Sequence, residues 1–418
     1  MLRSFQVGNH KSFRGEVELL LIPAYGRERP VVPVAAIFGA NASGKSNLLD
    51  ALSWLRSAVV QSFRSWEIDS GIPRCPYRLD AVSTAAPSSY VVDVTVDSVQ
   101  YVYGVSLDDD AVREEWLYTY PHAQKRIIFE RHGQEIVLGS TLGERRSRAE
   151  WLSGLMRPNV LLLSVAAQAD QPEVRPVYQW FRDGIMSVTT RSVESPGQIA
   201  EQVSEALTRF PEFVDLIRVS DLGIMDLVVA DAGLDQVEGE AQAARSAVVG
   251  MASMRQKRVV FLHGESRSPL EWHGQSDGTR SWVRMLMAAL SALAEGVVLT
   301  VDEIATSLHP RLTARLIELF RDPLTNPRGA QLIFTTHDAT LLGTSLAIEE
   351  LLRRDEIWFV EKQDGASRFF PLYDFRPRTG ENRERRYLAG SYGGVPIVFE
   401  DSLVDRLVAA NEALESTS

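Results

Sequence analysis

Residues Gly39–Ser46 read GANASGKS, and no other stretch narrows the choice of fold as much. The octapeptide fits the spacing G-x-x-x-x-G-K-[ST]. Before it stands VVPVAAIF, a continuous apolar run of the kind expected of a strand buried on both faces. After it comes SNLLDALSWLRSAVV, in which Leu48, Leu49, Leu52, Leu55 and Val59 recur at helical spacing. Strand, glycine-rich turn and helix is the context in which this motif cradles phosphate. The glycines let the backbone curl so that its N–H groups face phosphate oxygens. Lys45 is expected to reach the β- and γ-phosphates, and the Ser46 hydroxyl to ligate Mg²⁺. Gly39, Asn41, Ser43, Gly44, Lys45, Ser46 and Asn47 are the expected nucleotide contacts.

Two strand ends downstream carry further chemistry. GVVLTVDEIATSLHP begins as a buried strand and ends it in Asp302 and Glu303. A carboxylate at that end, beside the phosphate loop, suits the Mg²⁺ shell, and Asp302 takes that role. Strand side chains alternate, so Glu303 is expected to point elsewhere, where it can polarise an attacking water. QLIFTTHD ends another apolar strand at Thr336 and His337. Ligands of open α/β sheets gather at the carboxyl ends of strands, so His337 is expected to hydrogen-bond a γ-phosphate. WHGQSDGTRSW, with an apolar run from Trp282 after it, reads as a helix start opening at about Ser281, a second place suited to an anion.

The rest of the chain frames these motifs. LRSFQV and VELLLI read as strands, and VVDVTVDS, QYVYGVSL, EEWLYTYP and KRIIFERH as an antiparallel meander. Residues from about 140 to 258 read as mainly helical, with AGLDQVEGEAQAARSAVVGMASM a loop plus a weak helix. Apolar strands return at KRVVFLHG, GVVLTVDE, AQLIFTTHD and DEIWFVEK, and DSLVDRLVAANEALE reads as a terminal helix. Strands alternating with helices indicate a mostly parallel sheet covered on both sides. The expected fold is α/β, with that sheet, an antiparallel β lobe and a helical insertion. The division is 1–135 for a first ATPase lobe, 136–258 for the insertion and 259–418 for a second ATPase lobe.

GANASGKSN, then SDGTR opening a helix, then VLTVDEIATSLHP, then IFTTHD stand in an order that resembles the ABC-type ATPases that include SMC and RecF proteins. SFQVGNHKSF is similar to their opening strand pair. YRLD, SDGTR, DEIATSLHP and YLAGSYGGVP resemble the short, armless AAA-type ATPases of the RloA and AbiL kind, found in anti-phage and restriction-linked operons. The resemblance covers most of 1–135 and 259–396. It implies ATP and Mg²⁺ as cofactors and hydrolysis of ATP, with Glu303, His337 and Lys45 catalytic. It also implies that Ser276 and Gly278 match a signature that binds the γ-phosphate of ATP held by a second copy of the chain. Thr306–His309 matches the D-loop along the same interface, and Asn9–Phe13 would lie near the adenine or the phosphates. The signature reads SDGTR where transporters have SGGQ. No Q-loop glutamine stands out, Gln61 lying too close to the first helix and Gln168 in the unassigned middle. Arg280 would neutralise phosphate or pair with a surface carboxylate.

Charge and cysteine content bound the partners. A net charge of −11 argues against gripping DNA by bulk electrostatics, so nucleic-acid contact would need local basic clusters or a partner. RPRTGENRERR (376–386) and ERRSR (144–148) are such clusters, and a solvated loop explains them equally well. Trp66 and Tyr392 are candidate interface anchors, with core packing the stronger reading. A single cysteine, Cys75, excludes an intrachain disulfide and suits a reducing compartment. The N-terminus lacks a signal-peptide core and no apolar run spans a membrane, so a cytoplasmic protein without membrane contact is expected. Two functions follow. One is an ATP-gated dimeric switch for an effector, such as a nuclease in anti-phage defence. The other is a RecF- or SMC-like repair ATPase that grips DNA itself.

Overall fold

Continuous apolar runs and alternating runs mark two kinds of strand, and the computed structural model sorts them into different sheets. It describes residues 1–25, 29–139, 151–189, 195–220, 222–231, 257–306, 308–344, 350–377, 380–395 and 408. The chain opens with β1 (Leu2–Gly8), β2 (Val17–Leu20), β3 (Val34–Gly39) and α1 (Lys45–Ser65). Next come α2 (Ala81–Ala85), β4 (Ser88–Val96), β5 (Val99–Leu107), β6 (Val112–Tyr120), β7 (Arg126–His132) and β8 (Glu135–Leu138). Then α3 (Leu162–Gln168) and α4 (Arg175–Asp183) lead to β9 (Ile185–Thr189), and α5 (Pro196–Arg209) and α6 (Phe213–Arg218) lead to β10 (Ile224–Asp231). Downstream lie β11 (Lys257–His263), β12 (Ser268–Glu271), α7 (Asp277–Glu295), β13 (Val298–Asp302) and α8 (Pro310–Arg321). The last elements are β14 (Gln331–Thr336), β15 (Ile357–Gln363), β16 (Ala366–Pro371) and α9 (Arg383–Leu388).

The apolar runs build a six-stranded sheet in the order β16-β15-β3-β14-β13-β9. Five strands are parallel, and β16 returns antiparallel along β15. Every residue of β3 and β14 is buried, because the sheet is covered on both faces. Successive side chains of β3 go to different cores. Ala35 and Ile37 join Leu48, Leu52, Leu55 and Val59 of α1. Val34, Ala36 and Phe38 join α7 and α8 on the opposite face. Each leucine buried this way contributes about 1.5–3 kcal/mol. The fold is α/β.

The alternating runs build a seven-stranded antiparallel sheet, β2-β1-β4-β5-β6-β7-β8. Tyr90, Val92 and Val94 of β4 face its core while their neighbours are only half-buried. Within this lobe Glu115 is fully buried. Its carboxylate accepts the N–H groups of Leu162 (2.6 Å) and Leu163 (2.8 Å) and the Tyr103 hydroxyl (3.0 Å), and Arg131 Nη1 lies 3.5 Å away. Burial raises the Glu115 pKa, against the pull of Arg131 and the two amides. The pair ties β6 and β7 to the start of α3, and removing one member would leave a buried charge, at a cost of about 3–5 kcal/mol.

Two expectations need correction. KRVVFLHG does not join the parallel sheet. As β11 it lies in a three-stranded antiparallel sheet, β10-β11-β12, because only Val259 and Phe261 are buried and the strand has a single apolar face. The segment 136–258 is mainly helical among its described residues, through α3–α6, but it is not a separate insertion. Its IMSVT stretch is β9, paired in parallel with β13 as the edge of the core sheet, and β10 also lies within it. A five-residue strand is too short for its period to be read. Trp66 and Tyr392 are packing residues, Tyr392 being fully buried. The segments read as a weak helix (232–254) and a terminal helix (401–415), and the ERRSR cluster, lie outside the described residues, apart from Val408. Among the described residues no helix is long and apolar enough to cross a membrane.

Candidate functional site

The site begins where β3 stops. Gly39 ends the strand so tightly against β15 that a Cβ there would stand 2.4 Å from the Val360 carbonyl oxygen. Gly44 starts α1 at φ 105°, a left-handed conformation that disfavours a side chain. No side chain caps that helix start, so the first turn keeps donors for an anion. Lys45 folds back over the loop and its Nζ donates to the carbonyls of Gly39 (2.8 Å) and Ala40 (2.9 Å). Burial holds the Lys45 ammonium below its usual pKa, and the carboxylates of Glu303 and Asp302 pull it back up.

Asp302 arrives from β13. Its Oδ1 accepts the Ser46 hydroxyl at 2.8 Å and the Thr335 hydroxyl at 2.6 Å. Thr335 also accepts the N–H of Glu303 at 2.7 Å. This threonine was not among the residues picked from sequence, which had stopped at its neighbours Thr336 and His337. Only the pairing of β13 with β14, Val301 opposite Phe334, brings it beside Asp302.

Glu303 is redirected by a turn, not by strand alternation. The strand has ended, and Glu303 itself sits at φ 55°, an uncommon conformation for a non-glycine residue. Such strain is retained where surrounding contacts hold it. Here Thr335 grips its N–H, and the Thr306 hydroxyl donates to its Oε2 at 3.3 Å.

A second layer of contacts braces the loop. Ser12 accepts Asn47 Nδ2 at 2.6 Å and lies 2.6 Å from the Ser367 hydroxyl, while Ser367 N–H donates to the Ser12 carbonyl at 2.7 Å. The Ser367 hydroxyl also donates to the Ser43 carbonyl. Thus the turn after β1, the phosphate loop, α1 and β16 meet at two serines. In the same turn His10 bridges the Tyr90 hydroxyl and Asp50, each at 2.9 Å, and Lys11 Nζ lies 2.7 Å from Asp50. Burial raises the Asp50 pKa, but hydrogen bonds from His10 and Lys11 outweigh it and hold the carboxyl below its usual range. The YLAGSYGGVP stretch packs beside β15: Tyr387 and Tyr392 both stack on Phe359, and the Tyr387 hydroxyl donates to the Gly394 carbonyl.

Other sequence-picked residues make no hydrogen bond to this cluster among the described residues. His337 is exposed and makes no hydrogen bond or ion pair among the described residues. Ser276 caps α7, which opens at Asp277, earlier than the apolar run suggested. Its hydroxyl accepts the Thr279 N–H at 3.1 Å, so the cap starts the helix well before its apolar face. Gly278 sits in that first turn, and Arg280 pairs with Asp277. Gln61 bonds Ser57, and Gln168 joins Arg64 and Tyr178 at the far end of α1, so neither serves the phosphate loop. In the basic cluster 376–386, Arg383 is buried against Glu350 and Arg386 pairs with Glu381, while Arg376 and Arg385 are exposed. Ser307 of the D-loop match is outside the described residues.

The donor set suits Mg²⁺. Ser46 and Asp302 are hard oxygen donors side by side, and a magnesium ion that also takes waters and phosphate oxygens needs only one or two protein ligands. Among the described residues no group of three or more His, Cys, Asp or Glu side chains could hold a metal unaided.

Two solved structures are similar to this chain. The SMC head domain from Thermotoga maritima is 14% identical, with 88% of this chain and 98% of that one covered and a TM-score of 0.42. A dimeric post-hydrolysis ATP-binding cassette bound to ADP and Pi is 13% identical over the same shares, with a TM-score of 0.30. No curated protein matches. A family model matches residues 34–136 and 170–343, a span that holds the phosphate loop, Asp302, Glu303 and Thr335. The chain therefore belongs to the AAA-domain ATPase family described as "AAA domain, putative AbiEii toxin, Type IV TA system".

Proposed function

We propose that the protein is an ATP-hydrolysing switch of the ABC type that works as a dimer and signals its nucleotide state to an effector. The observation that carries this reading is the shared oxygen of Asp302, held by Ser46 from the phosphate loop and Thr335 from the neighbouring strand. This puts a hard oxygen donor of β13 against the helix start that follows the glycine-rich loop, as a magnesium-bound nucleotide requires. Bound Mg²⁺ would neutralise phosphate charge between Ser46 and Asp302. Lys45 exchanges two neutral carbonyl partners for anionic phosphate oxygens, a stronger class of hydrogen bond. Glu303 accepts a proton from the water that attacks the terminal phosphorus, as the bond to the leaving diphosphate breaks. Thr306 and Thr335 hold Glu303 for that task. His337, free at its strand end, contacts the terminal phosphate and reports its presence.

Ser276 and Gly278 serve a second copy. Among the described residues the start of α7 makes no bond to the phosphate loop, whereas across a head-to-tail dimer its positive end would meet the partner's γ-phosphate. The family description names a putative toxin of a toxin–antitoxin system, which supports a regulated effector and, with the armless RloA/AbiL likeness, a defence role. An effector such as a nuclease, in the cytoplasm, completes the proposal.

Light scattering of Ser276→Arg with ATP tests the dimer. Charge and bulk at the helix start should abolish ATP-dependent dimerisation while thermal melting stays near wild type; a variant that still pairs would refute the signature assignment. Thr335→Val, close in shape, should raise the Mg²⁺ concentration needed for half-maximal turnover about tenfold, for loss of roughly 1–2 kcal/mol of hydrogen bonding. An unchanged Mg²⁺ titration would remove Thr335 from the site. Strong salt-sensitive binding of plain duplex DNA by the purified chain would favour the DNA-gripping alternative instead.

A further inference from the structure

A cavity of about 530 Å³ opens at the opposite end of β3 from the phosphate loop. Val31, Val32 and Pro33, which lead into β3, form one wall, and Arg353–Glu356, which lead into β15, form another. β3 spans six residues, so roughly 17 Å of strand separates this cavity from Gly39. It is a separate place on the same two strands.

Its charges are unevenly matched. The carboxylates are held from within. Glu356 is buried, accepts the Arg353 N–H at 2.6 Å and pairs with Arg321 at 3.4 Å. Asp355 is buried and accepts the Ala24 N–H at 3.1 Å. Glu350 pairs with Arg383. Two of the three guanidinium groups that line the cavity, those of Arg29 and Arg353, are not matched in the same way. Arg29 donates to a neutral acceptor, the Arg321 carbonyl. The Arg353 side chain is exposed and makes no hydrogen bond or ion pair among the described residues. Burial lowers the Arg29 pKa, and the positive charges of Arg353 and Arg321 lower it further against the pull of Glu356 and Asp322. Arg29 and Arg353 thus line the cavity beside two buried carboxylates, Asp355 and Glu356, that are already held by other donors. Along the same lining, Tyr25 is 54% exposed beside Pro23.

From this we infer that the cavity binds a phosphate-bearing aromatic ligand of nucleotide size. Phosphate oxygens would relieve the repulsion between Arg29 and Arg353, since guanidinium forks match phosphate geometry. The base would lie on Tyr25. The volume falls in the range of small-molecule sites. This site is independent of the nucleotide proposed at Lys45 and would make the chain bind two nucleotides.

Isothermal titration with ADP, and separately with inorganic phosphate, tests it in the full chain. Wild type should take up two ADP, and Lys45→Ala one. In the Lys45→Ala background, Arg353→Glu should weaken the remaining site at least tenfold, and Tyr25→Ala should weaken ADP but not phosphate. Both altered side chains are exposed, so the fold is not at risk. A single wild-type site that vanishes in Lys45→Ala would overturn this inference and leave the phosphate-loop assignment intact. Two sites in Lys45→Ala, one of them lost in Arg353→Glu, would sustain the cavity and sink the phosphate loop. ADP binding no tighter than phosphate and indifferent to Tyr25→Ala would overturn the nucleotide assignment.

Discussion

Glu303→Gln is expected to bind ATP as wild type does, to slow hydrolysis by roughly 10²–10⁴-fold, and to accumulate as a nucleotide-bound dimer. Glutamine keeps the shape and still accepts the Thr306 hydroxyl, so the strained turn at φ 55° should survive. It cannot take a proton from water. The loss therefore falls on the chemical step and spares nucleotide affinity. Phosphate release under single-turnover conditions measures the first part, and size-exclusion chromatography with ATP the second. Wild-type turnover in this variant would remove Glu303 from the role of base. A monomeric variant in saturating ATP would leave the base in place and count against the shared interface.

Lys45→Ala is expected to weaken ATP binding about a hundredfold or more. Two charge-assisted hydrogen bonds to phosphate would be lost, each of about 1.5–3 kcal/mol. The carbonyls of Gly39 and Ala40 would lose their donor as well, the first in a buried bond and the second in a partly buried one. Removing an ammonium that burial has already destabilised offsets part of that cost. Thermal melting without nucleotide should thus change little, whereas the stabilisation that ATP confers through the phosphate loop of wild type should disappear. Unchanged affinity by calorimetry at the tighter site would contradict the assignment. The two variants separate binding from chemistry: one keeps the ligand and loses turnover, the other loses the ligand.

Much of the architecture was legible because its signals are local. The loop GANASGKS sits between an apolar run and a 3.6-period run, and each of the three is recognised from contiguous residues. The alternation in VVDVTVDS marks a sheet with one exposed face, and β4 has one. The strand β11 shows where such reading slips. KRVVFLHG looks continuous and apolar, yet only two of its side chains are covered, and coverage is supplied by elements distant in sequence.

The site divides in the same way. Which residue types can hold phosphate and a hard cation follows from their chemistry, so Lys45, Ser46 and Asp302 were accessible to a reader of the sequence. Thr335 was not, because a threonine at a strand end has no distinguishing pattern until β14 is laid beside β13. Nor was the brace between Ser12 and Ser367, two serines at opposite ends of the chain that meet only when β16 folds back on β15. The sequence by itself determined the phosphate loop, the secondary structure around it and the carboxylates available to it, since each depends on near neighbours along the chain. Strand order, the direction in which Glu303 points and the crowding of Arg29 against Arg353 were decided by tertiary structure, because each is set by contacts between segments that only the folded chain brings within hydrogen-bonding reach.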